Sequence, residues 1–145
     1  LCSACAITAI STTEGIILNE IFVFGAIIFI LGFLIEVVAD NQKTKFRNIP
    51  ENKDKFITTG LWSYSRHPNY LGEITLWTGV AIMSFPSLEG LQLITLISPI
   101  FTYLLLVYVS GVRLLEASGD KKWGQLSSYQ EYKKNTPTLF FKINK

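Results

Sequence analysis

The residues best suited to chemistry stand in one run, Gly60-Leu61-Trp62-Ser63-Tyr64-Ser65-Arg66-His67-Pro68-Asn69-Tyr70-Leu71-Gly72-Glu73, which holds the only histidine. Pro68 lacks an N–H and fixes its own φ, so it suits the first position of a helix and drives His67 towards an extended conformation. Asn69, Tyr70 and Glu73, about one turn apart, then share a helical face, with Arg66 and His67 at the free N-terminal end. That end carries unpaired N–H groups and a partial positive charge. With a guanidinium beside it and a carboxylate one turn on, it suits a phosphate and a hydroxyl or amide of one ligand. The spacing predicts a cofactor clamp. His67 and Tyr70 are the catalytic candidates, and His67 could equally be a proton donor, a phosphate ligand or a cap. A metal site is not expected, because no second histidine is available. Nor do Ser63 and Ser65 suggest a Ser-His-acid set.

The elements that must position these groups are oily. Of 145 residues, 49% are hydrophobic, and the charges are few and clustered. Apolar segments alternating with polar ones predict an all-α, multi-pass transmembrane helical bundle of one domain. Residues 15–39 are expected to form a transmembrane helix, 40–67 a polar loop, 68–115 a transmembrane hairpin and 116–145 a polar tail. Pro86 should end the first arm of the hairpin and Pro99 should kink the second. Leu1–Ile10 is too short to span and is expected to be the end of a severed helix of a larger protein. Cys2 and Cys5 read as small apolar residues, since a zinc site needs a second ligand pair. A net charge of +2 without basic residues around an aromatic platform gives no reason to expect nucleic acid.

All thirteen lysines and arginines fall between Lys43 and Arg66 or from Arg113 onward. By the positive-inside rule the 40–67 loop and the C-terminal segment face the cytoplasm. Organelle follows the source: endoplasmic reticulum in a eukaryote, inner membrane in a bacterium. Glu36 and Asp40 lie four apart, and continuing their face reaches Lys43 or Thr44 and then Arg47. A pocket at this membrane face would be lined by Asp40, Lys43, Arg47, Arg66, His67, Asn69, Tyr70, Glu73, Arg113, Glu116, Tyr129 and Tyr132. Lys45, Lys53, Lys55, Lys121, Lys122, Lys133 and Lys134 are expected to meet lipid headgroups instead.

The run Ser65-Arg66-His67-Pro68-Asn69-Tyr70-Leu71-Gly72-Glu73, preceded by Gly60-Leu61-Trp62, resembles the DUF1295 membrane proteins, which are related to steroid 5-alpha-reductases and sterol C14 reductases. The likeness runs from about Glu36 to Thr138, through Ala-Asp-Asn-Gln-Lys at 39–43, Phe46-Arg47 and Tyr-Gln-Glu-Tyr-Lys-Lys-Asn-Thr-Pro at 129–137. More distantly the chain is similar to isoprenylcysteine carboxyl methyltransferases, which have a similar Arg-His-Pro-x-Tyr-x-Gly element.

The resemblance to the reductases implies NADPH, held at positions matching Asp40, Arg47, Asn69, Glu73, Arg113 and Tyr129. Arg47, Arg66 or Arg113 would take its phosphates, and Asn69 and Glu73 its ribose or amide groups. The expected reaction is then hydride transfer to a C=C bond of an enone lipid or steroid-like substrate within the bilayer. The chain departs from the steroid reductases after Arg113, where Leu-Leu-Glu-Ala-Ser-Gly-Asp replaces a histidine-rich stretch. Their substrate-gripping glutamate and tyrosine come from earlier helices.

The alternative is an S-adenosylmethionine-dependent membrane methyltransferase, suggested by Arg66-His67-Pro68, Tyr70, Gly72, Glu116, Tyr129 and Tyr132. Its usual paired glutamates are absent, as Ala117 follows Glu116. A third reading is a non-enzymatic, lipid-binding membrane subunit.

Overall fold

The structure is a computed structural model that describes residues 3–12 and 15–141. Cys2, Thr13, Glu14 and the last four residues lie outside the described part, so only Cys5 of the cysteine pair can be placed. Among the described residues all regular structure is helical, with no strand. The helices are α1 (Ala4–Ile10), α2 (Glu20–Arg47), α3 (Pro68–Ser84), α4 (Ser98–Leu104), α5 (Val112–Trp123) and α6 (Ser127–Asn135).

Helix α2 begins where Asn19 can cap it: the Asn19 side chain accepts the Phe22 N–H at 3.0 Å. Lys45 and Arg47 in its last turn complement the negative end of the dipole. The helix therefore continues eight residues past Ala39, through a stretch where a loop was expected. Its 28 residues rise about 42 Å, more than the ~30 Å of a hydrocarbon core. Among the described residues two stretches are long and apolar enough to cross a membrane, Glu20–Arg47 and Gly90–Trp123.

Helix α3 starts at Pro68 and packs antiparallel on α2 through glycines spaced seven residues apart on each helix. Gly25 meets Gly79 and Met83, and Gly32 meets Gly72 and Leu76. A Cβ on Gly25 would stand 2.6 Å from the Met83 amide nitrogen, and one on Gly79 would stand 2.8 Å from the Gly25 carbonyl oxygen. Backbone therefore touches backbone, which in lipid is the main route to tight helix association. The outer face of α2 carries exposed Val23, Phe24, Ile27, Leu31, Phe33 and Leu34.

The second apolar stretch is not one uniform helix. Residues Gly90–Ile97 form a 3₁₀ helix, α4 follows, and Leu105–Val109 widen into a π-turn. Pro99 sits in the first turn of α4, where its missing N–H costs nothing, so no kink is needed there. Residues 90–112 carry no charge, and the first charged group, Arg113, belongs to α5. Helix α5 thus marks the exit from the apolar region.

Candidate functional site

A cavity of about 190 Å³ lies where the end of α2, the 55–67 segment, α5 and α6 meet. The 55–67 segment is pinned to α2 from two sides. Gly60 adopts φ +63 directly against the Gln42 side chain, and Gln42 Oε1 accepts the Leu61 N–H at 2.9 Å. Any side chain at residue 60 would meet both a disfavoured backbone region and Gln42. Trp62, nearly fully buried, donates its Nε1–H to the Ala39 carbonyl at 3.0 Å, and Lys43 Nζ lies 4.9 Å from the centre of its ring.

The far wall is aromatic. Phe56 packs edge-on against Tyr129 at 5.0 Å and also contacts Trp123 and Tyr132 at 5.8 and 5.6 Å between ring centres. Trp123 Nε1–H donates to the Asp54 carbonyl at 2.7 Å, tying the end of α5 to the loop. Tyr132 Oη donates to the Trp62 carbonyl at 2.6 Å, tying α6 to the same loop. Gly119 of α5 accepts the close approach of the Tyr129 hydroxyl, which a Cβ would block.

The cavity floor is ionic. Arg66 and His67 both reach the Glu116 carboxylate: Arg66 pairs with Oε2, and His67 Nε2 lies 2.8 Å from Oε1. Lys133 of α6 stands 3.3 Å from Oε2. A strap of the C-terminal segment closes over these residues. Pro137 accepts the Arg66 backbone N–H at 2.9 Å, Leu139 accepts the Ser65 hydroxyl at 2.7 Å, and Thr138 Oγ1 accepts from Arg66. His67 is 5% exposed, and its ring stacks on Tyr70 with centres 5.8 Å apart. Among the described residues three buried side-chain atoms of this run have no hydrogen-bond partner, Arg66 Nε, His67 Nδ1 and Asn69 Oδ1.

Burial alone would raise the Glu116 carboxyl, but the His67 hydrogen bond and the charges of Arg66 and Lys133 outweigh it and hold the group below its ordinary value. Burial pushes the Tyr132 and Tyr129 hydroxyls the other way, above their ordinary range.

This site lies in a stretch that the sequence pattern of a known family covers: the family described as "Protein of unknown function (DUF1295)" matches residues 1–136. The chain belongs to DUF1295. The chain is also similar to a protein named "Probable O-methyltransferase ustE" from Ustilaginoidea virens, 33% identical over 94 residues. That alignment covers 64% of the present chain and 33% of the relative, so the chain spans about a third of the length of the relative. No solved structure matches this DUF1295 chain.

Of the twelve residues that the sequence suggested for one pocket, Lys43, Arg47, Arg66, His67, Glu116, Tyr129 and Tyr132 line the cavity. Asp40, Asn69, Tyr70, Glu73 and Arg113 do not. The cavity gathers around residues that precede α3, whereas Asn69, Tyr70 and Glu73 lie within α3 itself. Glu73 instead faces Glu36 and Asp40 closely enough for their charges to repel, and no described cation lies within ion-pair distance of the three. Tyr70 reaches the site indirectly, through the His67 ring and the backbone turn at Gly111. Arg113 is exposed and makes none of the ion pairs among the described residues.

Sequence reasoning overlooked Phe56, Trp123 and Gly119, and left to the lipid headgroups both Lys55, which lines the cavity, and Lys133, which pairs with Glu116. The available signal was the density of aromatic residues on both sides of the DUF1295 element: Phe56, Trp62, Trp123, Tyr129 and Tyr132.

Proposed function

We propose that this chain forms the cofactor-holding part of a membrane-embedded, S-adenosylmethionine-dependent O-methyltransferase that acts on an apolar, lipid-like acceptor. The observation that carries the reading is the cavity itself, aromatic on one side and ionic at its base. A sulfonium cation and an adenine ring both favour aromatic faces. The donor set fits the rest of such a cofactor: Phe56, Trp123 and Tyr129 would hold the adenine and sulfonium, and Lys43, Arg47 and Arg66 the carboxylate. The buried, unpartnered Arg66 Nε is one donor still without an acceptor. When bound, the cofactor would supply an electrophilic methyl group. The chain's own contribution is to orient it, exclude water with the 137–139 strap and keep Glu116 ionised. The name of the relative from Ustilaginoidea virens supports methyl transfer to oxygen.

NADPH-dependent reduction of a C=C bond stands as the second reading. It is favoured by four cations, Lys43, Arg47, Lys55 and Arg66, on one cavity.

In this reading α2, α3 and the 90–111 stretch cross the bilayer, and the lipid-exposed faces of α2 and Leu91, Ile94 and Ile97 meet acyl chains. The 48–67 loop, α5 and α6 lie on the cytoplasmic side, where the basic residues concentrate. The decisive experiment is thermal stabilisation of the full-length, detergent-solubilised protein by S-adenosylmethionine, S-adenosylhomocysteine or NADPH. Stabilisation by the first two supports methyl transfer; stabilisation by NADPH alone transfers the assignment to the reductase reading.

A further inference from the structure

The base of the cavity contains a histidine whose two ring nitrogens are treated unequally. Nε2 faces Glu116 Oε1 at 2.8 Å, while Nδ1 is buried and has no partner among the described residues. An ionised carboxylate only accepts hydrogen bonds, so Nε2 must carry the hydrogen. In the neutral ring the lone pair is then on Nδ1. Tyr70, stacked at 11° to the imidazole plane, fixes the ring's orientation.

We propose that His67 is the general base of this site, held by Glu116 with Nδ1 free to take a proton, and that the methyl acceptor is an alcohol or phenol rather than a carboxylic acid. The inference rests on the methyl-transfer reading above. A carboxylic acid is already deprotonated near pH 7 and needs no base, whereas a phenol or alcohol keeps its proton and is a weak nucleophile until the proton leaves. A site that invests its only histidine in an oriented, unpartnered lone pair is built for the second kind of acceptor. Leu115 on the cavity wall and the exposed Leu114 beside it suit an acceptor with a hydrocarbon body.

The step balances without a redox change. The acceptor O–H bond breaks with its proton passing to Nδ1, and the oxygen pair forms the O–CH₃ bond. The S–CH₃ bond breaks with its pair left on sulfur, and the His67 proton then passes to water. The products are a methyl ether and S-adenosylhomocysteine. The charged or titratable groups facing His67 are Glu116 from α5, Lys133 from α6 through Glu116, Arg66 from the preceding residue and Tyr70 from α3.

The test has two arms on the full-length protein in detergent. In the first, ¹⁵N-histidine spectra identify the His67 ring by its loss in His67→Asn. The expected result is hydrogen on Nε2 and a bare Nδ1 near neutral pH, with that preference lost in Glu116→Gln. Hydrogen on Nδ1 instead overturns the proposal. In the second arm, labelled S-adenosylmethionine is offered with 4-dodecylphenol or with dodecanoic acid. Label is expected in the phenol ether and is expected to fall about 100-fold or more in His67→Asn. Label in the ester, label in neither product, or an unchanged rate in His67→Asn overturns the hydroxyl assignment. Should wild-type protein fail to bind S-adenosylmethionine in the stabilisation assay, the methyl-transfer reading fails, whichever nitrogen of His67 is protonated.

Discussion

Nε2 of His67 lies 2.8 Å from Oε1 of Glu116, across 49 positions of sequence, and this one contact joins the start of α3 to the polar helix α5. Arg66 takes the other oxygen of the same carboxylate, so Glu116 is the point on which the cavity floor depends. Replacing it with Gln leaves Arg66 without a counter-charge in a partly buried place, while Lys133 keeps its pair with Asp120. Glu116→Gln is expected to cost about 2–3 kcal/mol, read as a lower denaturation midpoint.

The same carboxyl sets an acid limit on stability. Its folded value lies below the ordinary 4.5. A depressed carboxyl stabilises the fold above its unfolded value and loses that contribution as the pH falls through its folded value. The wild-type midpoint should therefore decline once the pH drops below about 4.5, and the gap between wild type and Glu116→Gln should narrow there. A gap that stays constant with acidification would show that Glu116 is not held ionised by its neighbours.

Tyr132 gives the opposite limit. Burial holds its hydroxyl protonated above the ordinary 10, so the folded state keeps a proton that the unfolded chain releases, and stability is lost as the pH rises beyond 10. Tyr132→Phe removes the hydrogen bond to the Trp62 carbonyl. It should cost about 1–2 kcal/mol at neutral pH and flatten the alkaline decline, which a pH series of thermal midpoints checks.

The glycine contacts between α2 and α3 predict a sharp contrast. A Cβ at Gly72 would stand 2.5 Å from the Glu36 amide nitrogen, and one at Gly32 would collide with the Leu76 backbone. Gly32→Ala and Gly72→Ala should each cost about 1–3 kcal/mol by forcing the helices apart. Leu31→Ala, one residue away but on the exposed face, should change stability little. Equal losses at the three positions would remove the glycine contact from the account of this fold.

The proposed orientation is open to a labelling test. In a background with Cys2 replaced by Ser, single cysteines at Lys53 and at Glu89 should react with an impermeant thiol reagent from opposite sides of sealed vesicles. Cys5, fully buried, should stay silent. Labelling of both from one side would refute the topology.

Sequence reading reached some of this arrangement and missed the rest for physical reasons. Pro68 announces its helix because proline favours the first helical position, and the structure starts α3 there. The extension of α2 to Arg47 was obscured because its last two turns are polar, and polarity alone does not distinguish a projecting helix from a loop. Glycines carry no apolar signal, so the seven-residue spacing of Gly25 and Gly32 against Gly72 and Gly79 went unread. Within the site, Arg66 and His67 were legible as charge at a helix start, and Glu116 as a carboxylate just beyond the apolar span. Phe56 and Trp123 were not, because their meeting depends on how a loop folds back on α5. Asp40 and Glu73 were grouped with the cavity on helical spacing and on the family resemblance, and neither reveals which way the shared face turns.

Helices that meet through bare backbone have no rotamers with which to absorb a change of tilt. In the proposed membrane arrangement a thicker or thinner bilayer can only lean α2 and α3 together, as a single strut. Gln42 and His67, at the adjoining ends of that strut, would then move in step, and the shape of the chamber beside them would be insulated from the thickness of the surrounding membrane.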